Sequence, residues 1–139
     1  MEQLKKLSSF LSHRKKNFES LLNFFSKYEK YFILPKQTPD TETAWLAFPL
    51  IIKKGAPFTR MDIITFLEEN DIQTRPIFTG NILKQPGFKK INNRQIIRDY
   101  VNTELIMKGG FVIACHQGLN DEQISYLKSK IEYFLSKFI

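Results

Sequence analysis

A long amphipathic stretch at the start of the chain constrains the fold more than any other feature of the sequence. Between residues 3 and 31, apolar side chains recur at spacings of three and four, which is typical of one apolar stripe along a helix. The stripe consists of Leu4, Leu7, Leu11, Phe18, Leu21, Leu22 and Phe25. Such a helix is roughly 40 Å long at 1.5 Å per residue, which is more than a small domain needs. We therefore expect part of it to pack on a compact body and the rest to have bridged to something else.

The remaining sequence predicts three strands. Residues 44–52 are nearly all apolar or aromatic, which indicates a strand that is central or covered on both faces. Residues 72–78 predict a second strand. Pro76 places it at a sheet edge or a bend, because proline cannot donate a ladder hydrogen bond. Residues 111–115 predict the third strand.

Two capping boxes predict where helices begin. Thr59 is followed by Asp62, and Asn120 is followed by Gln123. At this spacing each pair of side chains can satisfy backbone N–H groups of the first helical turn. We expect one helix after each box, and the second box has the better residue types.

The order of these elements predicts an α/β (α+β) fold, in which helices cover one face of a small sheet. A further short helix is expected over residues 96–107. The chain has 139 residues, which is enough for one small domain. Within it, residues 1–34 would form the long helix and its exit, and residues 44–139 the sheet-and-helix body.

The cysteine content and the apolar runs exclude several kinds of protein. Cys115 is the only cysteine, so no disulfide forms within the chain and no thiolate metal site is expected. The longest apolar run, residues 44–52, is too short to span a bilayer. The first six residues lack the apolar centre of a signal peptide. We expect a cytoplasmic chain with no metal and no membrane partner.

The net charge of +7 favours anionic partners in general. The basic residues of the 79–99 stretch are Lys84, Lys89, Lys90, Arg94 and Arg98. Nucleic-acid binding would need aromatic side chains interleaved with them, and only Phe88 and Tyr100 lie nearby. We therefore predict no nucleic-acid partner. A solvated loop and a contact with a nucleotide diphosphate both stay open.

Strings of residues along the whole chain carry a resemblance to one family. They are LKKLSSFLSHRKKNF at 4–18, YFILP at 31–35, AWLAFP at 44–49, TRPIFTGN at 74–81 and GLNDEQ at 118–123. Together they resemble the last third of the DegT/DnrJ/EryC/StrS sugar aminotransferases. The TRPIFTGN string resembles the lipopolysaccharide-biosynthesis branch called RfbH, which is related to the nucleotide-sugar 3-dehydratases.

The resemblance implies that the chain is the C-terminal small domain of a fold-type-I pyridoxal-phosphate (PLP) enzyme. In that family the large N-terminal domain holds PLP, through a Lys or, in the dehydratases, with a His in its place. No segment of this chain matches that part, and His116 stands in the wrong context for the role. We expect the large domain to be absent, no PLP to be bound by this chain alone, no catalytic residue here and no activity of the isolated chain. Whether the chain is a gene fragment or an excised piece stays open.

The resemblance also implies a partner and a process. The intact enzyme would act on a nucleotide-linked keto-deoxysugar in lipopolysaccharide (O-antigen) deoxysugar biosynthesis, by dehydration or by transamination, and would be a homodimer. The isolated chain would self-associate through the part of its apolar stripe that lacks a partner. The alternative is a stand-alone ligand- or protein-binding module of α/β type.

Three residues are candidates for substrate binding. Arg75 leaves a strand toward a glycine-bearing loop, and its guanidinium suits phosphate or sugar oxygens. The alternative for Arg75 is a surface ion pair with Glu68, Glu69 or Asp71. Asn81 follows Gly80, where it could bind substrate or only satisfy a turn. His116 could line a substrate pocket at a strand end, or be satisfied there by backbone groups.

Overall fold

The computed structural model describes residues 2–95 and 99–139. The predicted long helix is divided in two, α1 (Glu2–Lys5) and α2 (Leu7–Phe25), and a 3-10 turn follows at Ser26–Tyr28. The helix ends before residue 31 because Phe32 pairs with Ile52 in the sheet. This unpredicted strand, β1 (Phe32–Ile33), buries the Phe32 ring completely, 5.5 Å from the ring of Phe25. Burial of a large aromatic ring outweighs the local preference for a longer helix.

The other elements follow the predicted order. They are β2 (Ala47–Ile52), α3 (Arg60–Glu68), β3 (Thr74–Pro76), α4 (Val101–Gly109), β4 (Gly110–Ala114) and α5 (Asp121–Ser136). The loop between β3 and α4 contains short 3-10 turns at Ile82–Lys84 and Pro86–Phe88. The helix expected over residues 96–107 begins at Val101 and extends to Gly109, and the first three predicted residues lie outside the described residues.

Both predicted capping boxes are confirmed. The side chain of Thr59 accepts from the backbone N–H of Asp62, whose carboxylate accepts from the backbone of Thr59. Asn120 and Gln123 form the same reciprocal pair at the start of α5. Each box satisfies donors that the first turn of a helix leaves free.

The sheet is antiparallel throughout, with strand order β1-β2-β4-β3. The predicted central position of β2 and the predicted edge position of β3 are both confirmed. Strand β2 begins at Ala47 rather than at residue 44 because its ladder partner β4 ends opposite, at Ala114. One further bond, from Cys115 N to Leu46 O, extends the pairing.

Helices α2, α3 and α5 cover one face of the sheet, as predicted. The buried side chains of that face include Phe48, Leu50, Ile52, Phe111 and Ile113. Aromatic rings join the layers. Phe18 and Phe25 of α2 lie 5.3 and 5.4 Å from Phe48, and Phe58 lies 5.1 Å from Phe134 of α5. The many phenylalanines therefore serve mainly as the core.

The opposite face of the sheet carries smaller side chains and is only half-buried. It consists of Ala47, Pro49, Ile51, Val112 and Ala114. Arg75 is paired with Val112, so the strand alternation places it on this same face. We call this surface the open face.

Only part of the apolar stripe of the N-terminal helices is covered. Phe18, Leu21 and Phe25 are buried in the core, whereas Leu4 is 70 % exposed and Leu7 and Leu11 are also exposed. Within the described ranges, none of the helices combines the length and hydropathy that a bilayer crossing needs.

Candidate functional site

Arg75 lies exposed on the edge strand β3. Among the described residues it forms no ion pair within 4.0 Å, so the predicted alternative of a surface pair is not observed. Glu68 instead accepts hydrogen bonds from the backbone N–H and the hydroxyl of Thr74. These bonds, with the nearby charge of Arg75, hold the pKa of the Glu68 carboxyl below its usual value. The guanidinium therefore has its donors available to a ligand.

His116 lies in the turn between β4 and α5. Its Nδ1 accepts a hydrogen bond from the backbone N–H of Gly118 at 3.1 Å, and its carbonyl accepts from the side chain of Asn17 at 3.0 Å. The first bond matches the expectation that backbone groups satisfy a histidine at a strand end. The imidazole is nevertheless half-exposed and borders a cleft.

The cleft beside His116 has a volume of about 490 Å³. Its apolar walls are Ile72, Ala114, Leu119 and Leu127, and its polar rim is Asp71, Gln73, Glu122, Gln123 and Tyr126. The size falls within the range of small-molecule sites, and an apolar floor with a few polar groups is their usual composition.

Asn81 is engaged inside the chain and only 6 % exposed. Its Nδ2 donates to Glu104 Oε1 at 2.8 Å, and its Oδ1 accepts from the backbone N–H of Leu83 at 3.1 Å. Lys84 Nζ lies 2.7 Å from the other Glu104 oxygen. Hydrogen bonds from Lys84 and Asn81 lower the pKa of the Glu104 carboxyl. Both ends of the amide thus hold a turn, and its predicted contact with substrate stays a prediction.

The three candidates do not form one cluster. Gln73 lines the cleft, and Arg75 is two residues further along, so the two Cα atoms are about 7 Å apart in an extended chain. Arg75 itself lies opposite Val112, four residues before His116, and is not among the residues that line the cleft. Asn81 contacts α4, which precedes β4, whereas His116 follows β4. The five residues of β4 separate these two ends by roughly 16 Å.

Phe78 is an unusual residue that sequence reasoning missed. Its backbone has a φ of 48°, and its ring is 93 % exposed. A bulky residue rarely adopts positive φ, and such strain is concentrated at functional sites. Its place two residues before Gly80, within the TRPIFTGN string, was the available signal.

Asn17 was missed as well. It is 4 % exposed and lies on α2 one turn before Leu21, so it interrupts the buried stripe. A polar residue on an apolar helix face was a signal for a buried hydrogen bond. Its amide reaches the His116 turn.

Cys115 is fully buried, and burial raises the pKa of its thiol to about 11. A thiol protonated at neutral pH is a poor nucleophile. Across the described ranges, no three His, Cys, Asp or Glu side chains are grouped so that they could hold a metal ion.

No lysine of this chain has the surroundings that a lysine needs to form a Schiff base with PLP. A lysine that forms a Schiff base is activated by desolvation or by a neighbouring charge in an enclosed site. Every lysine here is exposed or half-exposed. The lysines of the β3–α4 loop are all exposed, and Lys84 is already paired with Glu104.

Comparison with known proteins agrees with the resemblance found in the sequence. A model of the DegT/DnrJ/EryC1/StrS aminotransferase family matches residues 1–132. Lipopolysaccharide biosynthesis protein RfbH of Salmonella typhimurium is 32 % identical over 134 residues, which is 96 % of this chain and 30 % of that protein. GDP-4-keto-6-deoxy-D-mannose 3-dehydratase of Yersinia pseudotuberculosis is 37 % identical over 127 residues, covering 91 % of this chain and 32 % of the relative. The chain thus spans about a third of the length of these relatives.

Solved structures of proteins with related folds superimpose on this chain over most of its length. The E. coli GDP-4-keto-6-deoxy-D-mannose-3-dehydratase with bound hydrated PLP superimposes with a TM-score of 0.81 at 35 % identity, over 93 % of this chain and 32 % of that one. An aminotransferase from Psychrobacter cryohalolentis has a TM-score of 0.84 at 15 % identity, over 97 % and 36 % of the two chains, which shows the fold alone. The predicted fold class and the predicted family are confirmed, and RfbH, which the TRPIFTGN string resembles, is among the relatives. This chain belongs to the DegT/DnrJ/EryC1/StrS aminotransferase family.

Proposed function

We propose that this chain is the C-terminal part of a PLP-dependent nucleotide-sugar 3-dehydratase or aminotransferase of lipopolysaccharide deoxysugar biosynthesis. Its substrate would be a nucleotide-linked keto-deoxysugar, and the intact enzyme would be a cytoplasmic homodimer. The proposal draws its reaction class from relatives about three times as long. The contribution of this chain is to bind and orient the substrate.

The observation that carries the proposal is the open face with Arg75 beside it. A half-buried apolar sheet face on an otherwise well-packed domain is suited to contact with another part of an enzyme or with a ligand. The guanidinium of Arg75 offers a planar fork of donors at the edge of that face, and no described carboxylate lies within ion-pair distance. Phosphate and sugar oxygens are the acceptors that this fork suits best.

PLP would be held outside this chain, because its lysines are all at least half-exposed. When bound, the cofactor acts as an electron sink for chemistry next to the sugar carbonyl. Arg75, Asn81 and His116 are our proposed substrate-binding residues. Arg75 would bind an anionic or hydroxyl oxygen directly, whereas Asn81 would hold the loop that follows Arg75.

The test is to measure substrate affinity and melting temperature on the same variants. The host is the Yersinia pseudotuberculosis 3-dehydratase with its matching region replaced by this chain, and the substrate is GDP-4-keto-6-deoxy-D-mannose. Arg75→Ala should remove a charge-assisted hydrogen bond worth about 1.5–3 kcal/mol. That corresponds to a loss of about ten- to hundredfold in affinity. Arg75→Lys should recover only part of it, because an ammonium cannot reproduce the fork.

Lys27→Ala is the control, since it removes an exposed positive charge from the 3-10 turn after α2, outside the β3–α4 loop. It should change affinity by less than about threefold, which separates a specific clamp from general attraction. Cofactor absorbance should stay the same in all three variants. A lowered melting temperature with unchanged affinity in Arg75→Ala would show that Arg75 is structural and would end the proposal for this residue.

A further inference from the structure

The backbone of Gly118 determines which nitrogen of the His116 ring carries the hydrogen. Gly118 N lies 3.1 Å from His116 Nδ1. A backbone N–H can only donate, so Nδ1 must present its lone pair, and the neutral ring carries its hydrogen on Nε2. No hydrogen bond found among the described residues uses Nε2. That N–H is therefore left for a partner from outside the chain.

The backbone of Gly118 approaches the ring of His116 closely. A Cβ built on Gly118 would lie 3.1 Å from both Nδ1 and Cε1 of His116, which is tighter than ordinary van der Waals contact. With alanine here, the imidazole would have to shift by a few tenths of an ångström relative to its backbone donor. Gly118 thus holds both the tautomer and the orientation of the ring.

Helix α2 also holds the segment of residues 116–119 in place through hydrogen bonds. The buried amide of Asn17 donates to the carbonyl groups of His116, at 3.0 Å, and Leu119, at 3.3 Å. Arg14 Nε donates to Gln117 Oε1 at 2.7 Å. The turn cannot shift without leaving the buried Asn17 donor unsatisfied, which carries a larger penalty than a lost surface contact.

The cleft that His116 borders is suited to a neutral hydroxylated ring. Its apolar walls can pack on the C–H face of a sugar. Asp71 and Glu122 on the rim are acceptors for ligand hydroxyl groups, and they repel phosphate. The hydroxyl of Tyr126 already donates to Asn70 O at 3.2 Å. The Nε2–H of His116 and the side-chain amides of Gln73 and Gln123 are then the donors that the described lining offers to ligand oxygens.

We propose that His116 is a fixed Nε2–H donor to a hydroxyl or carbonyl oxygen of a sugar ring in this cleft, and that Asn17 and Gly118 are positioning residues for it. The identity of the sugar as the deoxysugar of the substrate rests on the proposed function. The tautomer and the cleft belong to this chain alone. They stand or fail independently of any dehydratase or aminotransferase activity.

The experiment uses the chain labelled with 15N. A long-range proton–nitrogen spectrum of the imidazole at neutral pH should show the hydrogen of His116 on Nε2. Titration with free 6-deoxy-D-mannose should shift the His116 ring and the Gly118 amide, whereas inorganic pyrophosphate should not. Gly118→Ala and Asn17→Leu should each weaken sugar binding by roughly tenfold, the equivalent of one hydrogen bond.

Lys16→Ala is the control. Lys16 is next to Asn17 on α2, and its substitution removes the exposed ion pair between Lys16 and Asp121. It should leave both the tautomer and the sugar affinity unchanged. Gly118→Ala tests the ring without touching α2, so a failure of Asn17→Leu to fold leaves the test intact. Three results would each overturn the inference: hydrogen on Nδ1, shifts caused by pyrophosphate but not by sugar, or equal sugar affinity in Gly118→Ala.

Discussion

The side-chain amide of Asn81 donates to Glu104 Oε1 across 2.8 Å and thereby joins the loop after β3 to helix α4. Lys84 forms an ion pair with the other oxygen of the Glu104 carboxylate. Glu104 thus contacts two residues of the loop after β3 and holds that loop against α4. The segment that carries Arg75 and Phe78 is held at its far end by this contact. Its geometry depends on a hydrogen bond between residues distant in sequence.

We expect Asn81→Asp to destabilise the chain by about 1–3 kcal/mol. The substitution removes the donor and places a second carboxylate against Glu104. Urea denaturation at neutral pH measures the effect. Asn92→Asp is the control, because Asn92 is exposed in the same loop and should change stability by less than about 0.5 kcal/mol. Equal effects of the two variants would contradict the assigned role of Asn81.

Gly80→Ala should cost about 1–3 kcal/mol, because φ at Gly80 is 70° and a Cβ there would lie 2.6 Å from Met107 Cβ. Gly87→Ala offers a matched comparison in the same loop. No atom lies within 4 Å of a Cβ built on Gly87, so its stability should stay within about 0.5 kcal/mol of the parent. Thermal unfolding of the two variants distinguishes a required glycine from a tolerated one.

Phe78→Asn should leave the stability of the isolated chain unchanged or raise it by up to about 1 kcal/mol. The ring is almost fully exposed and gains little from folding, whereas asparagine tolerates positive φ better than a bulky residue. Phe88→Asn, at a residue less exposed than Phe78, should lower stability instead. A clear loss of stability in Phe78→Asn would mean that the ring makes a contact in solution.

Stability should fall in acid partly through Glu68. Hydrogen bonds from Thr74 lower the pKa of this carboxyl in the folded chain relative to the unfolded one. Its contribution is therefore complete above the unfolded value of about 4.3 and is lost as pH falls through the lower, folded value. Glu68→Gln should show a weaker dependence of melting temperature on pH below about 4.3, with little change in that dependence near neutral pH. An identical pH profile for parent and variant would exclude this contribution.

The exposed part of the N-terminal stripe should cause self-association of the isolated chain. Leu7 and Leu11 lie exposed one turn apart, and Leu4 extends the same apolar surface. Light scattering should show a mass that rises with concentration, and Leu7→Glu with Leu11→Glu should return it to the monomer value. A sharp monomer at all concentrations in the parent chain would be the opposite result.

Much of the architecture followed from local sequence rules. The reciprocal side chains of Thr59 with Asp62 and of Asn120 with Gln123 favour helix starts by local geometry, since their bonds span only three residues. Pro76 placed β3 at the edge because it has no N–H to donate. The apolar stripe was assigned to a helix because its period is close to that of the helix.

The sequence by itself determined the types of the elements other than β1, the family, and Arg75 as a candidate for ligand contact. Only the tertiary structure decided that α2 stops at Phe25, that Asn17 supports His116, that Asn81 turns inward and that Phe78 turns outward. The physical reason is the distance along the chain between the partners. Asn17 meets a carbonyl 99 residues away, and Asn81 meets a carboxylate 23 residues away. Such contacts depend on how the layers pack, which no local pattern of residues contains.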